Sequence, residues 1–235
     1  MKTSFYLSWL CRAALALFGM LFAGFSEAVA GGKIGVYGIH MAPRGDDAKN
    51  FSRPGYGLGG HIVVPVPQLL NFFAGTAGFE GINLLSETVT FRDRLTGLRV
   101  EQQTSQDYFR LFLGGQIGGH GKGFFRPHAG LNLATVFYGI NTDVVIPDDE
   151  DREKEVRQKL RGENHTVFGY DITLGVDLNF WNKWNLDGGV RYLKSFSLPQ
   201  QLGAGSGKIH PEYFQVYLGI GLSFRAFRQA REKEE

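Results

Sequence analysis

From Tyr213 to Phe224 every second residue is apolar: Phe214, Val216, Leu218, Ile220, Leu222 and Phe224 share one face, and Tyr213, Gln215, Tyr217, Gly219, Gly221 and Ser223 the other. A period of two held over twelve residues predicts a β-strand with one greasy face and one small or polar face. Residues 167–180 repeat the pattern, with Phe168, Tyr170, Ile172, Leu174, Val176, Leu178 and Phe180 set against Val167, Gly169, Asp171, Thr173, Gly175, Asp177 and Asn179. In 108–118, Phe109, Leu111, Leu113 and Ile117 oppose Tyr108, Arg110, Phe112, Gly114, Gln116 and Gly118. In 125–138, Phe125, Ala129, Leu131, Leu133 and Phe137 oppose Arg126, His128, Gly130, Asn132 and Tyr138. Tyr56, Leu58, Ile62 and Val64 oppose Gly57, Gly59 and His61. Residues 72–83 and 185–196 alternate less cleanly, and 33–43 is ambiguous about its face. The pattern therefore predicts eight strands of about 10–14 residues.

The connections alternate too. Long gaps (about 43–54, 84–104, 140–164 and 197–211) interleave with short ones (65–71, 119–123 and 181–184). That predicts an all-β, eight-stranded antiparallel up-and-down barrel with two unlike ends, as in transmembrane β-barrels. An even strand number puts both termini at the short-turn end. Rings gather at the turns: Phe72 and Phe73, Phe124 and Phe125, Trp181 and Trp184. A second level near the long loops holds Tyr56, Phe79, Phe109, Tyr138, Phe168, Tyr192 and Phe196. Two levels of rings suit two membrane interfaces. In the second long gap, Thr88-Val89-Thr90-Phe91 and Leu98-Arg99-Val100-Glu101 flank Leu95-Thr96-Gly97, which predicts a hairpin continuing the strands above the membrane. In the third, the acids 148–151 followed by Arg152–Arg161, basic at its end, predict a short solvated helix rather than a calcium loop.

Ahead of the strands, Lys2 and Arg12 precede the apolar run Ala13–Gly24, and Ala28-Val29-Ala30 closes the segment. This order predicts a signal peptide over 1–30 cleaved after Ala30. The apolar run is too short to span a bilayer. The barrel is then expected over 31–224, followed by a charged periplasmic tail at 225–235. Cys11 is the only cysteine, so the expected mature chain has none, and neither a disulfide nor a cysteine zinc site is available. A net charge of +2 argues against nucleic-acid partners. Gly is abundant, 33 of 235, without a Gly-X-Y period, which fits tight turns and crowded strands.

With Arg126-Pro127-His128-Ala129-Gly130-Leu131-Asn132-Leu133, Asn185-Leu186-Asp187-Gly188-Gly189-Val190-Arg191-Tyr192 and the last strand ending at Phe224, the chain resembles the small eight-stranded outer-membrane barrels of the OmpA/OmpX type. The resemblance implies residence in the outer membrane of a Gram-negative bacterium among lipid and lipopolysaccharide. It also implies reading of the last strand by the barrel-assembly machinery, its final aromatic falling on Phe224. The eleven residues Arg225–Glu235 after it depart from that pattern.

With the greasy faces outward, the inward set includes Glu80, Asp171, Asp177 and Asp187 with Arg110, Arg126, Arg191, His61 and His128. The near balance of charge favours an interior ion-pair network that plugs the barrel over a wide pore, because an unpaired buried charge costs several kcal/mol. Catalytic and cofactor signals are thin, and no cofactor or metal is expected. The Gly57-Leu58-Gly59 and Gly219-Ile220-Gly221 pairs sit inside strands, not at a strand-to-helix turn, and the histidines lack ligand spacing. Three function classes remain. The favoured one is a non-enzymatic barrel with a structural or surface-interaction role carried by its long loops. A lipid-modifying barrel enzyme would draw on His40, Ser52, Ser86 or His165 near the outer end. A soluble lipocalin-like carrier would turn the greasy faces inward.

Overall fold

The computed structural model describes residues 32–66, 72–92, 99–119, 123–146, 156–180, 183–202 and 205–224. Eight antiparallel strands close on themselves in the order β1-β10-β7-β6-β5-β4-β3-β2. Their bounds are β1 (Lys33–Arg44), β2 (Gly55–Pro65), β3 (Phe73–Arg92), β4 (Arg99–Gly118), β5 (Phe125–Ile146), β6 (Val156–Phe180), β7 (Trp184–Ser195) and β10 (Glu212–Ser223). Two long connections carry structure of their own: α1 (Gly45–Phe51) follows β1, and the hairpin β8 (Leu198–Leu202)–β9 (Gly205–Ile209) precedes β10. Closure runs from Lys33↔Ser223 to Arg44↔Glu212, so the strand with the ambiguous face is zipped between β2 and β10. A closed ring satisfies its backbone N–H and C=O groups without an edge, which a hydrocarbon environment demands.

The faces divide as alternation requires. On β10, Leu218 and Ile220 are 62% and 54% exposed, while Tyr213 and Gln215 are fully buried inside. The outward side chains Leu113, Leu131, Leu133, Phe168, Ile172 and Leu174 are likewise exposed. A greasy exterior around a polar interior is the reverse of a lipocalin. Outward apolar positions on β10 run from Phe214 to Phe224, ten residues or roughly 25 Å of height at a tilt near 40°. That matches the lipid-facing band of outer-membrane barrels. At the turn end, Phe72, Phe124, Phe125 and Trp184 are exposed and Phe73 is half-buried, and Phe124 meets Phe180 edge-on at 5.2 Å. Trp181, the signal peptide and the 225–235 tail lie outside the described residues. Tyr138 is not an interface ring: it points inward and is 1% exposed.

Four strands are taller than the sequence pattern implies. β3 and β4 have 20 residues each, β5 has 22 and β6 has 25. The expected second-gap hairpin is present, with Thr88↔Gln103 and Phe91↔Val100 in register. The expected helix over Arg152–Arg161 is not. Residues 156–161 belong to β6 and pair with β5, for instance Val145↔Arg157, while 148–155 lie outside the described residues. Val144, Val145 and Ile146 are β-formers, and β5 is already paired on its other side through Glu101↔Val145. A strand joining that ladder gains hydrogen bonds along its length, against a dipole benefit of only about 0.3–1 kcal/mol for a short helix. The four tall strands therefore continue past the ring as one sheet. A register shift at Asn83/Leu85 marks its base on β3, and a second at Thr142/Asp143 falls partway up β5 and β6, bulges of the kind that bend a sheet.

Candidate functional site

The interior is organised around Glu80 on β3, whose carboxylate is fully buried. Arg110 Nε donates to its Oε2 at 2.6 Å, and Gln215 Nε2 donates to the same oxygen at 3.0 Å. Tyr37 OH donates to Oε1 at 2.8 Å, and Arg191 Nη1 bonds that oxygen as well. One acid thus binds side chains from β1, β4, β7 and β10. Arg110 reaches onward through Nη1 to Asp171 Oδ2 at 2.8 Å. The other Asp171 oxygen accepts from Asn132 Nδ2 at 2.8 Å and Thr173 Oγ1 at 2.9 Å. Asn132 is itself bonded by Thr76 Oγ1 at 2.6 Å. The two guanidiniums also stack on rings: Arg191 lies 4.2 Å from the Tyr217 centroid and Arg110 4.8 Å from that of Phe112.

Toward the turn end lies a second cluster. Lys33 Nζ sits 2.5 Å from Asp177 Oδ2 and 2.7 Å from Asp187 Oδ2. His61 Nε2 is 3.5 Å from Asp187 Oδ2, and His128 Nε2 is 3.0 Å from Tyr217 OH. Between the two clusters is a void of about 20 Å³ lined by His61, His128, Asn132, Asp187, Arg191 and Tyr217 among others. It is polar and has room for about one water molecule. It is no conduit.

Of the residues expected in the network, Glu80, Arg110, His128, Asp171, Asp177, Asp187 and Arg191 are all buried inside. Arg126 differs. It stands on the inward side opposite Asp177, yet at the last turn of the ring, where it is half-exposed and its Nε donates to Gly123 O at 3.0 Å. From there its charge still acts on the Asp177 carboxylate across the strand pair. Lys33, unlisted among the expected bases, takes the central place between the two aspartates, and Tyr37 and Gln215 complete the shell of Glu80. Lys33 and Tyr37 share one parity of the strand whose face the sequence left open. Ile34 and Val36 on its other parity were the available signal.

Toward the loop end the interior turns apolar. Met41, Leu84, Tyr108, Val136, Tyr138 and Tyr213 are buried there, with Tyr108 edge-on to Tyr138 at 5.2 Å. Ala48 of α1 joins this cluster, as does Ile209 of β9. Ser52 Oγ, just past α1, is bonded to Ala48 O at 3.1 Å and Tyr213 OH at 3.3 Å. The long loops therefore place a lid on the barrel. Of the residues an enzyme would draw on, Ser52 is occupied by that lid, and His40 stacks on Tyr56 at 4.7 Å. His165 lies 3.5 Å from Glu163, and Ser86 stands on β3 opposite Ser105. No hydrogen bond joins any two of His40, Ser52 and His165 among the described residues.

No family model and no curated protein matches the chain. Solved structures do. Neisserial surface protein A aligns with a TM-score of 0.52 at 11% identity, over 84% of this chain and 99% of that one. The fold is that of the small outer-membrane barrels. Two further barrels align at lower scores. The attachment invasion locus protein Ail of Yersinia pestis has a TM-score of 0.44 at 10% identity, covering 82% of this chain and 97% of that one. The N-terminal barrel of Pseudomonas aeruginosa OprF has 0.38 at 11%, covering 81% and 96%. At such identities the likeness speaks for the barrel and not for any activity.

Proposed function

We propose that this barrel resides in the outer membrane of a Gram-negative bacterium, plugged along its axis, and serves to hold a protein-binding sheet above the surface. The reading orients the turn end toward the periplasm and the loop end outward, with lipopolysaccharide around it and the barrel-assembly machinery as its partner during insertion. Support for the plug comes from the interior, where the two polar clusters and the apolar layer of buried side chains follow one another along the axis. The observation that carries the surface role is the edge of the projecting sheet. Pairing of β2 with β3 stops at Tyr56↔Asn83, so Leu85–Arg92 have β4 on one side and no strand on the other among the described residues. Along that edge Thr88 and Thr90 are exposed, and Val89 and Phe91 are 50% and 45% exposed.

The opposite edge, on β6, is guarded. It carries an exposed Lys159 and the bulge beside it, two devices that discourage strand addition. The β3 edge has neither between Thr88 and Phe91. A bare, β-branched edge takes an extended segment of another protein by main-chain pairing, with alternate side chains giving selectivity. A labelled peptide copying Arg99–Asp107, the natural antiparallel partner of β3, tests this on cells displaying the chain. Binding that Val89→Lys/Phe91→Lys abolishes supports the role, and no binding to the unmodified chain rejects it. Planar-bilayer recording tests the plug, which steady openings of porin size would refute.

A further inference from the structure

The bare edge of β3 limits what can pair with it. Antiparallel addition gives the more stable ladder, so a partner strand runs against β3. β3 itself points away from the ring. Thr90 stands seven residues beyond Asn83, where pairing with β2 ends, which is roughly 18 Å higher along the axis at a tilt near 40°. The partner strand therefore comes from above and runs down toward the membrane.

The edge is complementary to itself. Val89 and Phe91 share the inner face of the sheet with their β4 partners Gln102 and Val100, while Thr88 and Thr90 share the outer face with Gln103 and Glu101. Turned end for end about Thr90, the segment Thr88–Arg92 sets Val89 against Phe91, Phe91 against Val89 and Thr90 against Thr90. Thr88 and Arg92 make the outermost pairs, so no like charges oppose. Aromatic with β-branched and threonine with threonine are pairs that stabilise a sheet. Centring on a residue also keeps inner face beside inner face, and the two sheets continue as one.

Tilt decides where the second copy stands. Two copies side by side in one membrane, related by an axis along its normal, have β3 inclined in opposite directions. At a tilt near 40° the two edges cross at about 80°, and no ladder forms. Two copies in facing membranes, related by an axis perpendicular to the sheet, present the same edges antiparallel at any tilt. The pairing also closes. The far edge of each projecting sheet is β6, with its exposed Lys159 and bulge, so the joined sheet has no bare edge left at which to grow among the described residues.

We propose that the partner of the β3 edge is the β3 edge of a second copy of this chain on a facing membrane, paired antiparallel about Thr90. The proposal rests on the reading of that edge as a protein-binding one and names its partner. Two rings so joined stand roughly 35 Å apart. The five residue pairs from Thr88 to Arg92 hold weakly as one contact, and many copies on each surface add theirs.

The test mixes two populations of cells that display the full chain with different C-terminal tags and one added cysteine, then oxidises them. Cys11 is the only native cysteine and precedes the barrel, so the added thiol stands alone there. Directly opposed residues of an antiparallel pair have Cα atoms about 4.5–5.5 Å apart, within reach of a disulfide. Thr90→Cys should therefore give disulfide dimers carrying both tags. Thr88→Cys, also exposed and on the same face, lies roughly 13 Å from its copy and should give about tenfold less. Val89→Lys/Phe91→Lys should remove the Thr90→Cys dimer. Dimers that carry only one tag, or equal yields from the two positions, overturn the facing pair. If the Arg99–Asp107 peptide binds and no mixed dimer forms, the edge keeps its role and the second copy is refuted; if the peptide fails as well, both fall. Where a cysteine variant does not reach the surface, differently coloured cells displaying the unmodified chain decide instead. Mixed clumps that the lysine pair disperses support the facing pair, and their absence overturns it.

Discussion

The two halves of the barrel interior solve the same packing problem with opposite chemistry. In the half toward the turns, Lys33, Glu80, Arg110, Asp171, Asp177, Asp187 and Arg191 are buried in two adjacent hydrogen-bonded clusters. In the half toward the loops, Met41, Leu84, Tyr108, Tyr138 and Tyr213 fill the space and α1 and β9 close it. The charged half is directional. Glu80 alone binds partners on four strands, so slipping one strand by a residue turns a charged group to the wrong face and leaves another unpaired. The apolar half is not directional and tolerates small shifts. One half specifies the register and the other packs the loop end against α1 and β9.

The sharpest way to break that division is to remove its central acid. Glu80→Ala leaves Arg110 and Arg191 buried without their shared carboxylate, and the refolded barrel should lose about 3–5 kcal/mol in urea titration. Met41→Ala, in the apolar half, removes a fully buried side chain and should cost less, about 2–3 kcal/mol, from cavity formation alone. If Met41→Ala costs as much as Glu80→Ala, the halves are energetically alike and the charged cluster has no special hold on register.

A contrast between inside and outside sits at the same scale. Ile220 is outward and 54% exposed near the middle of the apolar band, where arginine should cost about 2–4 kcal/mol on insertion. Refolding yield of Ile220→Arg into bilayers measures it. Exposed Lys208, on β9 in the loop-end lid, is a control: Lys208→Arg should insert like the unmodified chain. Equal yields for both variants would place the greasy face away from lipid.

How far the sequence discloses this molecule follows the same physics. Where one face meets lipid and the other the packed interior, as in 213–224 and 167–180, the two environments differ sharply and alternation reads cleanly. β1 is harder because Val36 faces outward while Ile39 and Met41 face an apolar interior, so both parities are greasy and Lys33 and Tyr37 were hidden among them. The upper parts of β5 and β6 fail for the complementary reason. Gln158, Lys159, Glu163 and Asn164 stand above the ring, where β6 carries polar side chains on both parities, and the backbone ladder that makes them strand leaves no side-chain period. Arg126 was assigned to the right face, but its place at the rim was not legible, because parity sets direction and not height.

The smallest effect probes the loop-end packing itself. Tyr213→Phe keeps the ring that fills the apolar half and removes the hydroxyl that Ser52 Oγ meets at 3.3 Å and that also bonds Tyr138. Ser52 still has Ala48 O at 3.1 Å, so no buried donor is orphaned there. The expected loss is about 1–2 kcal/mol, the net worth of two neutral hydrogen bonds. Its distribution matters more than its size. Hydrogen exchange should quicken at Ala48–Ser52, where α1 is held to the barrel, and stay unchanged around Glu80, whose partners do not include Tyr213. A change that spreads to the charged half would mean that the lid and the network unfold as one unit, so that register and loop-end packing are a single property of the barrel.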